Sequence, residues 1–293
     1  MELDRTRITI HERSLMELLD LSLKVFMVYW RALALLMFVP STLLTAVFLY
    51  QIGWMASDVE NTESVARYVW VMTLLVFLTS PLVSVPATMY LGRVMFMDTP
   101  RLRNMIWESL RFWLSLTYVQ LFLRGTGLAF LLLFMIEPYN DMGGPEWFLV
   151  MLCIYAAFVR SMRPFVNEII VLERNPLRGK TTDTITVARR SQSLHTPNSG
   201  DLLGRWIASA AIATLMASTL VGIGWFAQLL VMLDWHWGRW MVFVWVPTSM
   251  WITAVYFTVV RFLCYLDLRI RLEGWEVELV IRAAAAQLEG QLA

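Results

Sequence analysis

Six apolar runs, separated by gaps in which basic residues are alternately abundant and scarce, constrain this chain more than anything else in its sequence. The runs are Ala32–Ile52, Val69–Tyr90, Trp113–Ile136, Trp147–Ile169, Trp206–Leu233 and Trp240–Phe262. Each approximates the roughly 20 apolar residues that a helix needs to cross the hydrocarbon of a bilayer. Strands of a membrane barrel would be shorter and would alternate apolar with polar residues, which these runs do not. Tryptophan or tyrosine marks many of the run ends, where amphipathic rings sit at the headgroup level. The expected fold class is therefore all-α: a polytopic membrane helix bundle with six transmembrane helices.

Composition supports that reading. Hydrophobic residues make up 58% of the chain and charged residues 16%, against about 25% charged in an ordinary soluble domain. Too few polar residues remain to cover a soluble core of this size. The net charge of +1 gives no global field for nucleic acid, so position matters more than total. Twenty-one of the 24 basic residues fall before the first run, in the second and fourth gaps, after the last run, or at the run ends that adjoin these segments (Arg160, Arg163 and Arg261). Only Arg67 and Arg239 lie in the alternate gaps, and Arg124 lies within a run. The alternate gaps carry Asp58, Glu60, Glu63, Glu137, Asp141, Glu146 and Asp234 instead. By the positive-inside rule this pattern puts both termini in the cytoplasm. No cleavable leader is expected, because a mixed-charge segment precedes the first run. Cys153 and Cys264 fall at opposite depths of that topology, which argues against a disulfide between them.

The basic gaps carry helix signals of their own. Ser14 followed by Glu17 spells a capping box. Behind it charged residues recur near helical spacing up to Arg31, as in a helix lying on the inner leaflet or a cytoplasmic extension of the first span. Thr99-Pro100 reads as a second helix start. It opens a polar stripe of Arg101, Asn104, Glu108, Arg111 and Ser115. Thr182 to Leu194 forms a third such segment. Three hairpin units are thus expected, approximately 14–90, 100–172 and 182–262, each entered from a cytoplasmic-side amphipathic helix. The domain reading is a cytoplasmic N-terminus over 1–31, a transmembrane domain over 32–262 and a cytoplasmic tail over 263–293. Within that tail Gly274 is expected to break a helix.

The tail Tyr265-Leu266-Asp267-Leu268-Arg269-Ile270-Arg271-Leu272-Glu273-Gly274-Trp275-Glu276-Val277-Glu278-Leu279, the opening Glu12 to Leu23 and the element Arg189-Arg190-Ser191-Gln192-Ser193-Leu194 resemble a family of uncharacterised bacterial six-span membrane proteins. These are similar to the membrane domain fused to glycerophosphodiester phosphodiesterases. The resemblance spans most of the chain. It implies an integral module of the bacterial inner membrane and no catalytic residue, since the hydrolase of those fusions is a separate soluble barrel.

Few residues carry chemistry. Arg124 sits mid-span, with Gln120 one turn earlier, and a charge there costs at least about 2.5 kcal/mol on insertion scales. Two readings stand: contact with an anion or lipid headgroup in a polar cavity, or a structural arginine that snorkels or pairs with Glu168. Arg160, Arg163 and Asn167 share one face on a continuous helix, with Glu168 beside them. Such a cluster suits phosphate, or simply anchors a helix at anionic lipid. In the fifth run Ser209, Ala213 and Ala217 recur every four residues, as do Ser218 and Gly222, a pattern for close packing inside the bundle or in a dimer. His11, His195 and His236 are scattered, so no metal or other cofactor is expected. Hydrolase and phosphate-loop motifs are absent, and Ser191 and Ser193 have no obvious base. The function expected is non-catalytic: a membrane scaffold or accessory subunit that binds anionic lipid on the inner leaflet and membrane or cytoplasmic protein partners, with homo-oligomerisation open. The alternative is a small transporter or lipid-handling protein that uses Arg124 in a polar cavity.

Overall fold

The computed structural model describes residues 13–58, 61–95, 102, 105, 108, 119, 125–136, 143–177, 185–233 and 235–273. Among these the chain is helical, and no strand forms. Helix α1 spans Leu15–Ile52 and α2 spans Thr62–Val83. A break at Ser84 separates α2 from α3, Val85–Val94. Then come α4 at Thr126–Phe134, α5 at Gly144–Met162 and α6 at Val166–Leu172. Helix α7 is Val187–His195, α8 is Ser199–Met232, and a π-helical turn at Met241–Trp245 leads into α9 at Val246–Glu273. Among the described residues, five helical stretches are long and apolar enough to cross a membrane. The chain is thus an all-α, multi-pass membrane protein by the length and apolarity of its helices. Of the third expected span, Trp113–Ile136, residues 113–118 and 120–124 lie outside the described residues; its described part is mainly α4.

The capping box forms as expected. The Glu17 amide donates to Ser14 Oγ at 3.4 Å, and the Ser14 amide donates to Glu17 Oε2 at 2.9 Å. From that cap α1 runs unbroken for 38 residues, about 57 Å at the helical rise. It passes through Arg31 and Ala32 without a boundary. Its first four turns show three faces. Leu18, Ser22 and Val25 are buried against the bundle. Met16, Leu23, Met27 and Trp30 form an exposed apolar flank, and Glu17, Asp20, Lys24 and Arg31 an exposed charged one, with the exposed Val28 at its edge.

Helix α9 is the hub, lying against α1, α2, α3 and α8. Phe262 and Tyr265 of α9 are almost fully buried, as are Leu33, Leu36, Phe48, Tyr68, Leu75 and Leu78 of α1 and α2. Lipid tails are as apolar as these side chains, so close packing and interhelical hydrogen bonds must hold such a core together. Helix α8 stands at the edge. The most apolar stretch of its segment buries 0% of its residues, against 56% for that of α9. Its small-residue face is open: Ser218 is exposed, and a Cβ added to Gly222 would meet no atom within 4 Å.

The ion pairs among the described residues follow the division made by the basic-residue count. Arg67 binds Glu146 at 2.6 Å on the acid-rich end. On the arginine-rich end, Glu108 takes Arg93 and Arg174, Glu173 takes Arg190 and Arg269, and Asp267 takes Arg205 and Arg271. Arg13, ahead of α1, joins this end by donating its amide to Asp267 at 3.0 Å.

Candidate functional site

Two expected spans are broken helices, and the breaks meet. In α2, Pro81 has no N–H, so the Phe77 carbonyl loses its usual helical donor. Arg160 of α5 fills the vacancy: its Nη1 donates to Phe77 O at 2.6 Å and its Nη2 to Leu78 O at 2.8 Å. Its guanidinium also lies 4.5 Å from the centre of the Phe77 ring. Ser80 Oγ adds a second donor to Phe77 O at 3.1 Å. Thr126 Oγ1, on the first residue of α4, adds one to Leu78 O at 3.3 Å. Pro86 falls within the first turn of α3, where a missing N–H costs little because that turn's donors have no helical acceptors.

The second break follows from Pro164, which disfavours helical geometry at the residue before it. Arg163 leaves the helix at φ −137° and ψ 68°, and α6 restarts at Val166. Arg160, Arg163 and Asn167 therefore do not share one helical face. Arg163 is exposed, whereas Arg160, Asn167 and Glu168 are buried. Asn167 Nδ2 donates to the Pro81 carbonyl at 3.0 Å, so the second break binds the first. The Arg160 side chain is committed to peptide carbonyls rather than to a headgroup.

Glu168 is the most deeply buried charge of the cluster, at 0% exposure. Its Oε1 accepts from Arg261 Nε of α9 at 2.6 Å, and Arg261 Nη2 donates to Ser84 Oγ at 3.0 Å. Its Oε2 is buried and has no hydrogen-bond partner among the described residues. One carboxylate, two guanidiniums, an amide and a hydroxyl thus tie together α2, α3, α5, α6 and α9. A buried ionisable group inside a membrane bundle marks either a pathway or a packing device. Here most bonding positions are taken from within. Arg124 and Gln120 lie outside the described residues.

His195 was not expected to matter. It is buried and stacked on Phe165, with ring centroids 5.7 Å apart. The Phe165 amide, exposed by the Pro164 break, donates to His195 Nε2 at 3.3 Å. His195 Nδ1 lies 2.7 Å from the Ser191 carbonyl and 3.2 Å from Ser191 Oγ. Nε2 must accept, so Nδ1 carries the proton and donates to the carbonyl. Such a ring has no lone pair left to activate the Ser191 hydroxyl, and the pair acts as a clip between α7 and the α5–α6 break. The Pro164 break was the signal that a capping group was needed, but nothing local points to a histidine 31 positions later.

At the arginine-rich end Glu173 collects four donors. Arg190 grips it with Nε and Nη2 at 2.7 and 3.0 Å, Tyr265 Oη donates at 2.7 Å and Asn175 Nδ2 at 2.9 Å. Asp267 accepts from the Arg13 amide, Arg205 and Arg271, each at 3.0 Å. Many of the arginines that define the positive end are therefore held by carboxylates of the chain itself. Cys153 and Cys264 are buried free thiols. Among the described residues, no group of three potential metal ligands comes together. Comparison with protein-family models, with curated proteins and with solved structures finds no match.

Proposed function

We propose that this chain is a non-catalytic integral membrane module, a scaffold or accessory subunit that meets anionic lipid and partner proteins at its arginine-rich end. In this reading it crosses the bacterial inner membrane six times, as three hairpin units, with both termini cytoplasmic. The resemblance to the membrane domain fused to glycerophosphodiester phosphodiesterases points the same way. One observation carries the reading: the buried charges of the cluster are paired within the bundle, while recognition surface is left outside. Arg160, Asn167, Glu168 and Arg261 bond to one another's helices. The first turns of α1, by contrast, present separate apolar and charged flanks. A helix seated at a membrane surface keeps its apolar flank toward the acyl boundary and its charged flank toward water. Crosslinking and copurification from gently solubilised membranes test it. A stoichiometric partner is expected, and a chain that crosslinks to nothing and elutes alone would overturn it.

A second reading is favoured by the two broken helices. Transporters build their sites where discontinuous helices meet at a buried charge, and Glu168 with its bare Oε2 lies at such a junction. On this reading the chain is a small transporter or lipid-handling protein, and Arg124 faces a polar cavity. Uptake or lipid transfer that survives both Arg124→Ala and Glu168→Gln would remove it.

A further inference from the structure

A cleft of about 440 Å³ opens between α8 and the π-helical turn that precedes α9, at the acid-rich end and far from the broken helices. We infer that it seats one anionic phospholipid, with the phosphate on Arg239 and an acyl chain along Ala227 and Val231. The cleft falls within the size range of small-molecule sites, about 300–1,000 Å³. Its polarity runs in the order a phospholipid needs. Arg239 and Trp240 form its mouth, and a tryptophan ring of this kind belongs at the headgroup level. Ala227 and Val231 continue it along α8, beside the exposed Ile223 and Leu230.

The walls are built. Trp245 packs so closely on Gly224 that a Cβ there would come within 1.8 Å of its Nε1, and that Nε1 donates to the Leu220 carbonyl at 2.8 Å. Gln228 Nε2 donates to the His236 carbonyl at 2.7 Å, and Trp225 Nε1 to the Trp235 carbonyl at 3.2 Å. These bonds fix the turn that carries Arg239 against α8.

Arg239 has no internal employment. It is exposed and makes no hydrogen bond or ion pair among the described residues. The other cation of this end, Arg67, is taken by Glu146 and lies over the Trp54 ring. Capping does not explain Arg239 either, because the first turn of a helix is where a cation is least favoured. A free guanidinium at the mouth of an apolar cleft in a lipid-facing wall is matched by a lipid phosphate, which it can hold through two parallel N–H bonds. The inference does not depend on the scaffold reading, since the cleft lies at the opposite end.

Native mass spectrometry of the detergent-solubilised full chain tests it, with phosphatidylglycerol, phosphatidylcholine and chain-free glycerol phosphate as probes. One phosphatidylglycerol is expected to bind more tightly than phosphatidylcholine, and glycerol phosphate not at all. Arg239→Gln should weaken phosphatidylglycerol by about five- to ten-fold, the scale of one charge-assisted contact, and phosphatidylcholine less, because its choline already offsets the phosphate charge. Ala227→Trp, which fills the cleft, should weaken both lipids. Arg239 is exposed, so its variant should fold as the parent does, which the melting temperature checks. Equal phosphatidylglycerol affinity in the parent and Arg239→Gln would overturn the inference. So would binding of glycerol phosphate as tight as that of the lipid, which would make the site one for a soluble phosphate.

Discussion

Arg160 and Pro81 make sense only together. The proline strips a donor from Phe77 O, and the arginine restores it from another helix. Arg160→Met should then lower stability by about 1–3 kcal/mol, the cost of removing a charged donor from buried carbonyls that keep only the weaker bonds from Ser80 Oγ and Thr126 Oγ1. In a Pro81→Ala background the new amide satisfies Phe77 O, so the same substitution should cost less. A double-mutant cycle by chemical unfolding in micelles measures the difference; equal costs in both backgrounds would show that the two residues are not coupled. Glu168→Leu leaves Arg261 facing apolar neighbours, and about 3 kcal/mol is expected, at the lower end for a broken buried pair because Arg261 keeps some exposure. The double variant Glu168→Leu with Arg261→Met should recover much of that loss.

Element by element, special backbone positions place the helices. Gly125 starts α4 at φ +76°, a conformation that L side chains rarely adopt, and a Cβ there would lie 2.4 Å from Leu152 Cδ1. Gly125→Ala should therefore cost about 1–3 kcal/mol from backbone strain, with the clash added; a melting temperature unchanged from the parent would contradict this placement. The first turns of α1 make a second prediction. With spin labels at Met27→Cys and Lys24→Cys, the first should be accessible to oxygen dissolved in hydrocarbon and the second to a water-soluble nickel complex. If both labels respond to nickel alike, the helix projects into water instead of lying at the interface.

For the whole molecule, the topology is the quantity to test. Ser57, after α1, and Ser193, on α7, are both exposed and belong to opposite ends of the bundle. The native thiols are buried, so new cysteines at these positions should dominate labelling. In intact spheroplasts a membrane-impermeant maleimide should label Ser57→Cys, and Ser193→Cys only after permeabilisation. The reverse order would invert the orientation, and labelling of both from one side would remove a span. The fold at large was legible because apolar length and the sorting of charge are one-dimensional properties. Arg160, Asn167 and Glu168 were legible as a group because charged and amide side chains are rare beside apolar runs. Arg261 and Ser84, their partners, were not: each lies more than 75 positions away from Glu168 along the chain, and no local pattern encodes that distance.

The amino-acid order alone settled that this chain is helical, that lipid is its solvent, and that its cations collect at one end. Hydrocarbon tolerates only backbone that bonds to itself, so long apolar runs leave no other choice. Tertiary structure decided where the runs break and what becomes of the charge. A proline marks a missing donor in any sequence, but only packing reveals whether a neighbour supplies it. The packed helices answer that Arg160 serves Pro81's helix, that His195 clips the break at Pro164, and that Arg239 is left facing outward.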